Sequence, residues 1–268
     1  MKRNLRFLSV LALLLTFSTC LALAQESRDV QKSGAFNQNG RLYVDTYKGT
    51  IDILPWDKSE IDIHATIEAD GDDRWSREQV QDTEIRIDLS TSTAHVKTDY
   101  DRVNRRHHGF LGLFGENSNN LPLVHYTIKV PRTASVVIKD YKSRTTMDGL
   151  QADAEIETYK GEVRVGRLSG SLDLKTYKGE ARVSFASLGD RSRVETYKGE
   201  IQISVPRGKG FDLQADIGRH ANLKTDFEKV RDREYDRHRR SDRRSSINGG
   251  GPLLRLKSDH GEIRLFEE

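Results

Sequence analysis

The sequence predicts an all-β fold, a β-solenoid-like stack of short strands with about 18–20 residues per coil. Three observations carry this: a four-residue signature recurs at near-constant spacing, the residues around it alternate with period two, and a glycine or a close substitute ends each signature. Four copies read Thr-Tyr-Lys-Gly and end at Gly49, Gly161, Gly179 and Gly199. A fifth, Asp140-Tyr141-Lys142-Ser143, carries Ser at the glycine position, and two worn copies follow at Asp216-Ile217-Gly218 and Asp259-His260-Gly261. From Ser143 the steps are 18, 18, 20 and 19 residues, then 43, where a charged insertion intervenes. A step of that length holds two short strands and two turns.

Taken in chain order, the first element is a targeting segment, residues 1–24. Met1 to Arg6 is cationic, Phe7 to Phe17 is a run of apolar and small residues, and Ala22-Leu23-Ala24 is a small-x-small cleavage site. The run is shorter than the roughly 20 apolar residues that cross a bilayer. This reads as a secretory signal peptide, and residues 25–268 then form a single domain outside the cytoplasm with no integral membrane span. Cys20, the only cysteine, falls inside the removed piece; lipidation there is the rival reading, disfavoured by the bulk of Thr19. Asp72 to Asp82 reads as a short helix with Trp75, Gln79 and Val80 on one face. Two charged insertions interrupt the strands, near 100–121 and 228–252. The first holds His107, His108 and an apolar tip from Phe110 to Phe114; in the second, Lys229 to Arg244 carries eight bases against four acids and reads as a solvated loop or short helix.

Alternation sets the faces of the repeat. Val194, Thr196, Ile201 and Ile203 share one face, while Glu195, Tyr197 and Gln202 take the other. The same parity runs through Ile156, Thr158, Val163 and Val165, through Leu172, Leu174, Thr176, Ala181 and Val183, and through Leu254, Leu256, Ser258, Ile263 and Leu265. The turns fall at Lys-Gly and near Leu168 to Ser171. Glycines 49, 161, 179, 199 and 261 are expected to supply positive φ there. A solenoid explains why Tyr recurs over Tyr in a parallel ladder. An antiparallel sandwich gives no such reason, and an outer-membrane barrel would place its aromatics in girdles rather than on the charged face. The order of preference is solenoid, sandwich, barrel.

At these residues the chain resembles the adhesin-like family of exported bacterial proteins known as the DUF4097 type. Gly49-Thr50-Ile51-Asp52-Ile53, leading into Pro55-Trp56-Asp57, is similar to that family's opening strand and Trp-Asp element. His125-Tyr126-Thr127-Ile128-Lys129-Val130-Pro131 resembles its strand with terminal proline. The resemblance implies a β-solenoid-like domain outside the cytoplasm with an adhesive or scaffolding role. The regular Tyr-Lys pair and the two insertions depart from the family pattern.

The candidate binding residues are Tyr47, Tyr141, Tyr159, Tyr177 and Tyr197 with Lys160, Lys178 and Lys198; Lys48 and Lys142 are their equivalents in the earlier copies. Parity points the tyrosines outward. An exposed aromatic strip flanked by Lys and Glu can hold a glycan or the edge of an envelope protein. The same strip also reads as structure, because stacked rings contribute about 0.5–1.5 kcal/mol per pair. The sequence favours structure. The neighbouring column alternates Glu157, Lys175, Glu195, an order suited to pairing between coils.

Composition narrows the classes further. Hydrophobic residues make up 35% and charged residues 32% of the 268, too polar for a polytopic helical membrane protein. Lys and Arg number 44 against 41 Asp and Glu; without Lys2, Arg3 and Arg6 of the leader, 41 face 41. A balanced charge argues against a nucleic-acid partner. No nucleophile elbow, HExxH or phosphate loop occurs, so no catalytic residues, cofactor or metal site are expected. The reading is a non-catalytic binding, adhesion-like or scaffolding protein of the cell envelope. The alternatives are a polysaccharide-processing enzyme built on Glu157, Lys175, Glu195, Arg164 and Arg182, and a partner of an envelope-stress sensor.

Overall fold

A strand that is apolar on one face and repeats at constant length buries that face by winding, so that opposite sides of each coil face one another. The computed structural model, which describes residues 26–107, 121–227 and 241–268, shows this winding. The chain enters through β1 (Ser27–Ala35), β2 (Arg41–Asp45), β3 (Lys48–Trp56) and β4 (Glu60–Glu68), then helix α1 (Arg74–Asp82), β5 (Glu84–Leu89), β6 (Thr93–Asp99) and helix α2 (Asp101–His107). The middle comprises β7 (Leu123–Pro131), β8 (Ser135–Asp140), β9 (Lys142–Asp148), β10 (Ala154–Thr158), β11 (Glu162–Gly170), β12 (Leu172–Thr176) and β13 (Glu180–Leu188). The last strands are β14 (Arg191–Val205), β15 (Phe211–Thr225), β16 (Ser241–Ile247) and β17 (Leu253–Glu267).

Two parallel ladders result. One runs β6–β2–β8–β10–β12–β14–β17–β15. The other runs β7–β3–β9–β11–β13–β14–β17–β15, because the long strands β14, β15 and β17 pass through the corner and serve both. Register is residue over equivalent residue: Ile156 lies on Leu174, Leu174 on Val194 and Val194 on Leu256. Antiparallel pairing occurs toward the ends of the stack, at β1–β4–β7, β5–β6 and β15–β16, where it covers edges that would otherwise stay open. The inward residues of both ladders merge into one core, with Ile156, Leu174, Val194, Leu256, Val163 and Ile263 all fully buried. The fold is therefore the expected solenoid-like stack.

Four expectations change. The stack does not follow chain order: β17, with the last worn copy, sits between β14 and β15, so Gly261 lies on Gly199 and the earlier copy at Gly218 is pushed outward. Helix α1 buries Ser76, Gln79 and Val80, but Trp75 points outward; Asp73 caps the helix by accepting from the Ser76 amide at 2.9 Å. The insertion near 100–121 begins as α2 rather than loop. Part of the 228–252 insertion is strand, since β16 pairs along Phe211–Ile217 and closes the outer edge of β15. The signal peptide, Cys20, His108, the apolar tip at 110–114 and residues 228–240 lie outside the described residues, as do the side chains of 105–107 and 241–243. Among the described residues, no helix is long and apolar enough to cross a membrane.

Candidate functional site

The signature builds its own turn. The hydroxyl of Thr158 accepts from the Gly161 amide, and that of Thr176 from the Gly179 amide, each at 2.9 Å. In the variant copy the Asp140 carboxylate accepts from the Ser143 amide at 2.8 Å. Successive turns are bonded to one another as well: the amides of Lys142, Lys160, Lys178 and Lys198 donate to the carbonyls of Tyr47, Tyr141, Tyr159 and Tyr177 at 2.8–2.9 Å. The turn is thus a rung of the ladder, and each tyrosine is held one strand spacing from the next.

Positive φ is not the main reason for glycine here. Among the five turn glycines only Gly49 (129°) and Gly261 (122°) have it. At Gly161, Gly179 and Gly199 the constraint is close approach: a Cβ would stand 2.4 Å from the Ser143 carbonyl oxygen, 2.0 Å from that of Gly161 and 2.0 Å from that of Gly179. Coil-to-coil contact, invisible in a single repeat, selects glycine.

The five tyrosines form one continuous column. Ring centroids are 4.7 Å apart for Tyr47–Tyr141, 4.9 Å for Tyr141–Tyr159, and 4.7 Å for both Tyr159–Tyr177 and Tyr177–Tyr197, with planes within 8°. Tyr159, Tyr177 and Tyr197 are 36–40% exposed, whereas Tyr47 and Tyr141 are half-buried. Tyr100 closes one end edge-on against Tyr47, and its hydroxyl donates to the Pro122 carbonyl at 3.1 Å. Burial pushes the Tyr47 hydroxyl above its ordinary pKa, and the neighbouring Tyr141 adds to the shift. At the other end His260 tilts against Tyr197 at 5.1 Å and stacks on His220 at 5.3 Å.

The lysines of the signature divide. Lys160 lies 5.6 Å from the Tyr159 ring centre and Lys178 lies 5.5 Å from that of Tyr177, in cation–π range. Lys142 and Lys198 are exposed, but Lys48 is buried and paired with Asp70.

Beside the tyrosines runs the column two residues upstream. In ladder order it reads Lys97, Asp45, Lys139, Glu157, Lys175, Glu195, Lys257, Asp216, so charge alternates at every step. Two of its members form close ion pairs along their own strands, Lys175–Asp173 at 3.6 Å and Arg193–Glu195 at 2.7 Å. Between the two columns lies an open groove of about 550 Å3 that spans the coils from Asp45 to Lys257. Its floor is the signature threonine position: Thr46, Asp140, Thr158, Thr176 and Thr196. Glu157, Lys175 and Glu195 line it, but Arg164 and Arg182 point out from the other ladder, so the five residues weighed as a cleft stand on two faces. Among the described residues, no group of three His, Cys, Asp or Glu is placed to hold a metal.

The family model for Toastrack DUF4097 matches residues 134–265, from the turn before β8 into β17. This segment belongs to the Toastrack DUF4097 family. Its solenoid-like architecture accounts for the parallel ladders above. Among solved structures, a candidate cell adhesion protein from Clostridium sporogenes ATCC 15579 is similar over 90% of this chain and 100% of its own, with 9% identity and a TM-score of 0.50. A candidate adhesin from Parabacteroides distasonis ATCC 8503 aligns over 90% of this chain and 97% of its own, with 10% identity and a TM-score of 0.27. A candidate lipid-binding protein from the same organism aligns over 88% and 96%, with 11% identity and a TM-score of 0.25. No curated protein matches the sequence.

Three features of the groove were missed in the sequence. Tyr100 caps one end of the column from outside the signature, while the His220–His260 pair at the other end comes from the two worn copies, His260 within one and His220 two residues after Gly218. Lys257 and Asp259 line the groove because β17 is inserted next to β14. Asp140 is the floor's titratable group: burial pushes its carboxyl up to about 6, partly offset by the bonds from Ser143 and Thr158, and its Oδ2 is buried without a partner. The departure of Asp-Tyr-Lys-Ser from Thr-Tyr-Lys-Gly was the available signal.

Proposed function

We propose that this protein is a non-catalytic binding module that acts outside the cytoplasm, exported by the signal peptide of residues 1–24, with residues 25–268 as one Toastrack-type domain. Its contact surface is the groove between the tyrosine column and the alternating charged column, with Tyr141, Tyr159, Tyr177 and Tyr197 as one wall. The observation that carries this reading is the continuity of the groove across the coils, from Asp45 to Lys257. A stack that only needed covered turns has no need of a long open trough lined by partly exposed aromatics. The adhesion-related name of the Clostridium sporogenes structure is in keeping with a binding role for the fold. An envelope protein or an envelope glycan is the expected partner.

The test is a binding screen against peptidoglycan, purified glycans and envelope extracts, comparing wild type with a variant carrying Tyr159→Ser, Tyr177→Ser and Tyr197→Ser. Loss of a specific ligand with the far-ultraviolet circular dichroism spectrum retained supports the groove as contact surface. Unchanged ligand binding, accompanied only by a lower Tm, makes the column purely structural.

A further inference from the structure

The groove also selects its occupant by shape and charge, an inference that rests on the contact-surface reading above. Rings 4.7–4.9 Å apart and within 8° of parallel cover one another's faces, and Tyr100 and His260 cover the two ends. A glycan meets no free aromatic face here, so the ring hydroxyls and the charged column are what it can bond to. The accessible part of the column is a straight row of ring edges and hydroxyls, one per coil, with the stems of the charged column opposite. A flexible or bulky ligand touches such a trough at isolated points. A long, flat, stiff one lying along the stack touches every rung and gives up little conformational freedom.

The sign of the charge follows from the lining. Five carboxylates, on Asp45, Asp140, Glu157, Glu195 and Asp259, face three lysines, Lys139, Lys175 and Lys257, an excess of two negative charges. We propose that the groove beside Tyr141, Tyr159, Tyr177 and Tyr197 binds elongated, flat aromatic cations, aligned with the stack axis.

Thioflavin T, a flat aromatic cation whose fluorescence rises when its rings are held coplanar, is the probe, titrated into protein that elutes as a single monomeric species. The expected result is a saturable rise at a fixed stoichiometry. Glu157→Gln combined with Glu195→Gln leaves the ring column intact and should weaken the Kd by about tenfold, whereas Lys175→Gln should strengthen it. Tyr177→Ser, which interrupts the row, should reduce the bound fluorescence. The proposal is overturned by a monomer that gives no saturable signal, by the same Kd in wild type and the double Glu variant, or by equal affinity for Congo red, a flat, extended anion. If thioflavin T fails while the triple Tyr→Ser variant still loses an envelope ligand, the ligand class falls and the contact surface stands. If that variant loses nothing either, both fall.

Discussion

Asp140 shows how one departure from a repeat changes the physics of a site. Its neighbours in the floor are threonines that stay neutral, whereas Asp140 must lose its proton inside the stack or keep it. The unfolded chain releases that proton near the ordinary value of 3.8, and the folded chain holds it to about 6, so between these values the native state binds more protons. Stability from this group is therefore fully present below about pH 4 and is lost as pH rises through about 6, by on the order of 2–3 kcal/mol. Asp140→Thr, which restores the common signature residue, should remove that slope and leave the variant more stable than wild type at neutral pH. Urea midpoints measured across this range check it; a variant less stable than wild type at pH 7 contradicts the buried-carboxylate account. The carboxyls of Asp57 and Asp148, held low by Arg132 and Arg167, weaken the fold at the acid end instead and are common to both proteins. The importance of the glycines was plain in the sequence but its reason was not: the 2.0 Å approach at Gly179 involves a residue one coil away.

The element that distinguishes this chain is the tyrosine column. Tyr177 stacks on Tyr159 above and Tyr197 below, so Tyr177→Ser removes two parallel ring contacts. At about 0.5–1.5 kcal/mol per pair the loss should be about 1–3 kcal/mol in urea unfolding; a loss under about 0.3 kcal/mol would show that the rings do not support one another. The period, the inward set and the stacked tyrosines were all legible, because each follows from local alternation and equal step length. Trp75 was misplaced because a nine-residue helix offers too few turns to separate a buried face from its flank. The Tyr100 cap could not be found from the signature, since it reaches the column through tertiary packing alone, and His260, though inside a worn copy, meets Tyr197 only because β17 lies next to β14.

At the scale of the whole molecule, sequence order and spatial order part company. Residues 211–225 are made before 253–267, yet β17 occupies the place next to β14 that a coil-by-coil reading assigns to β15. No local pattern reveals this, because β15 and β17 present similar apolar alternation. Removing residues 253–268 should therefore expose both β14 and β15 instead of trimming an outer strand. The expected result is loss of hydrogen-exchange protection in both strands, while β8 and β10, several rungs away, keep theirs. Protection retained in β15 would mean that it can seat on β14 without the missing strand.

The insertion of β17 makes an earlier strand depend on a later one. β15 is joined to the stack through β17, so the strand made last supplies the seat for one made before it. A chain stalled before residue 253 has nowhere to lodge residues 211–225, and the pile closes only when its final strand arrives.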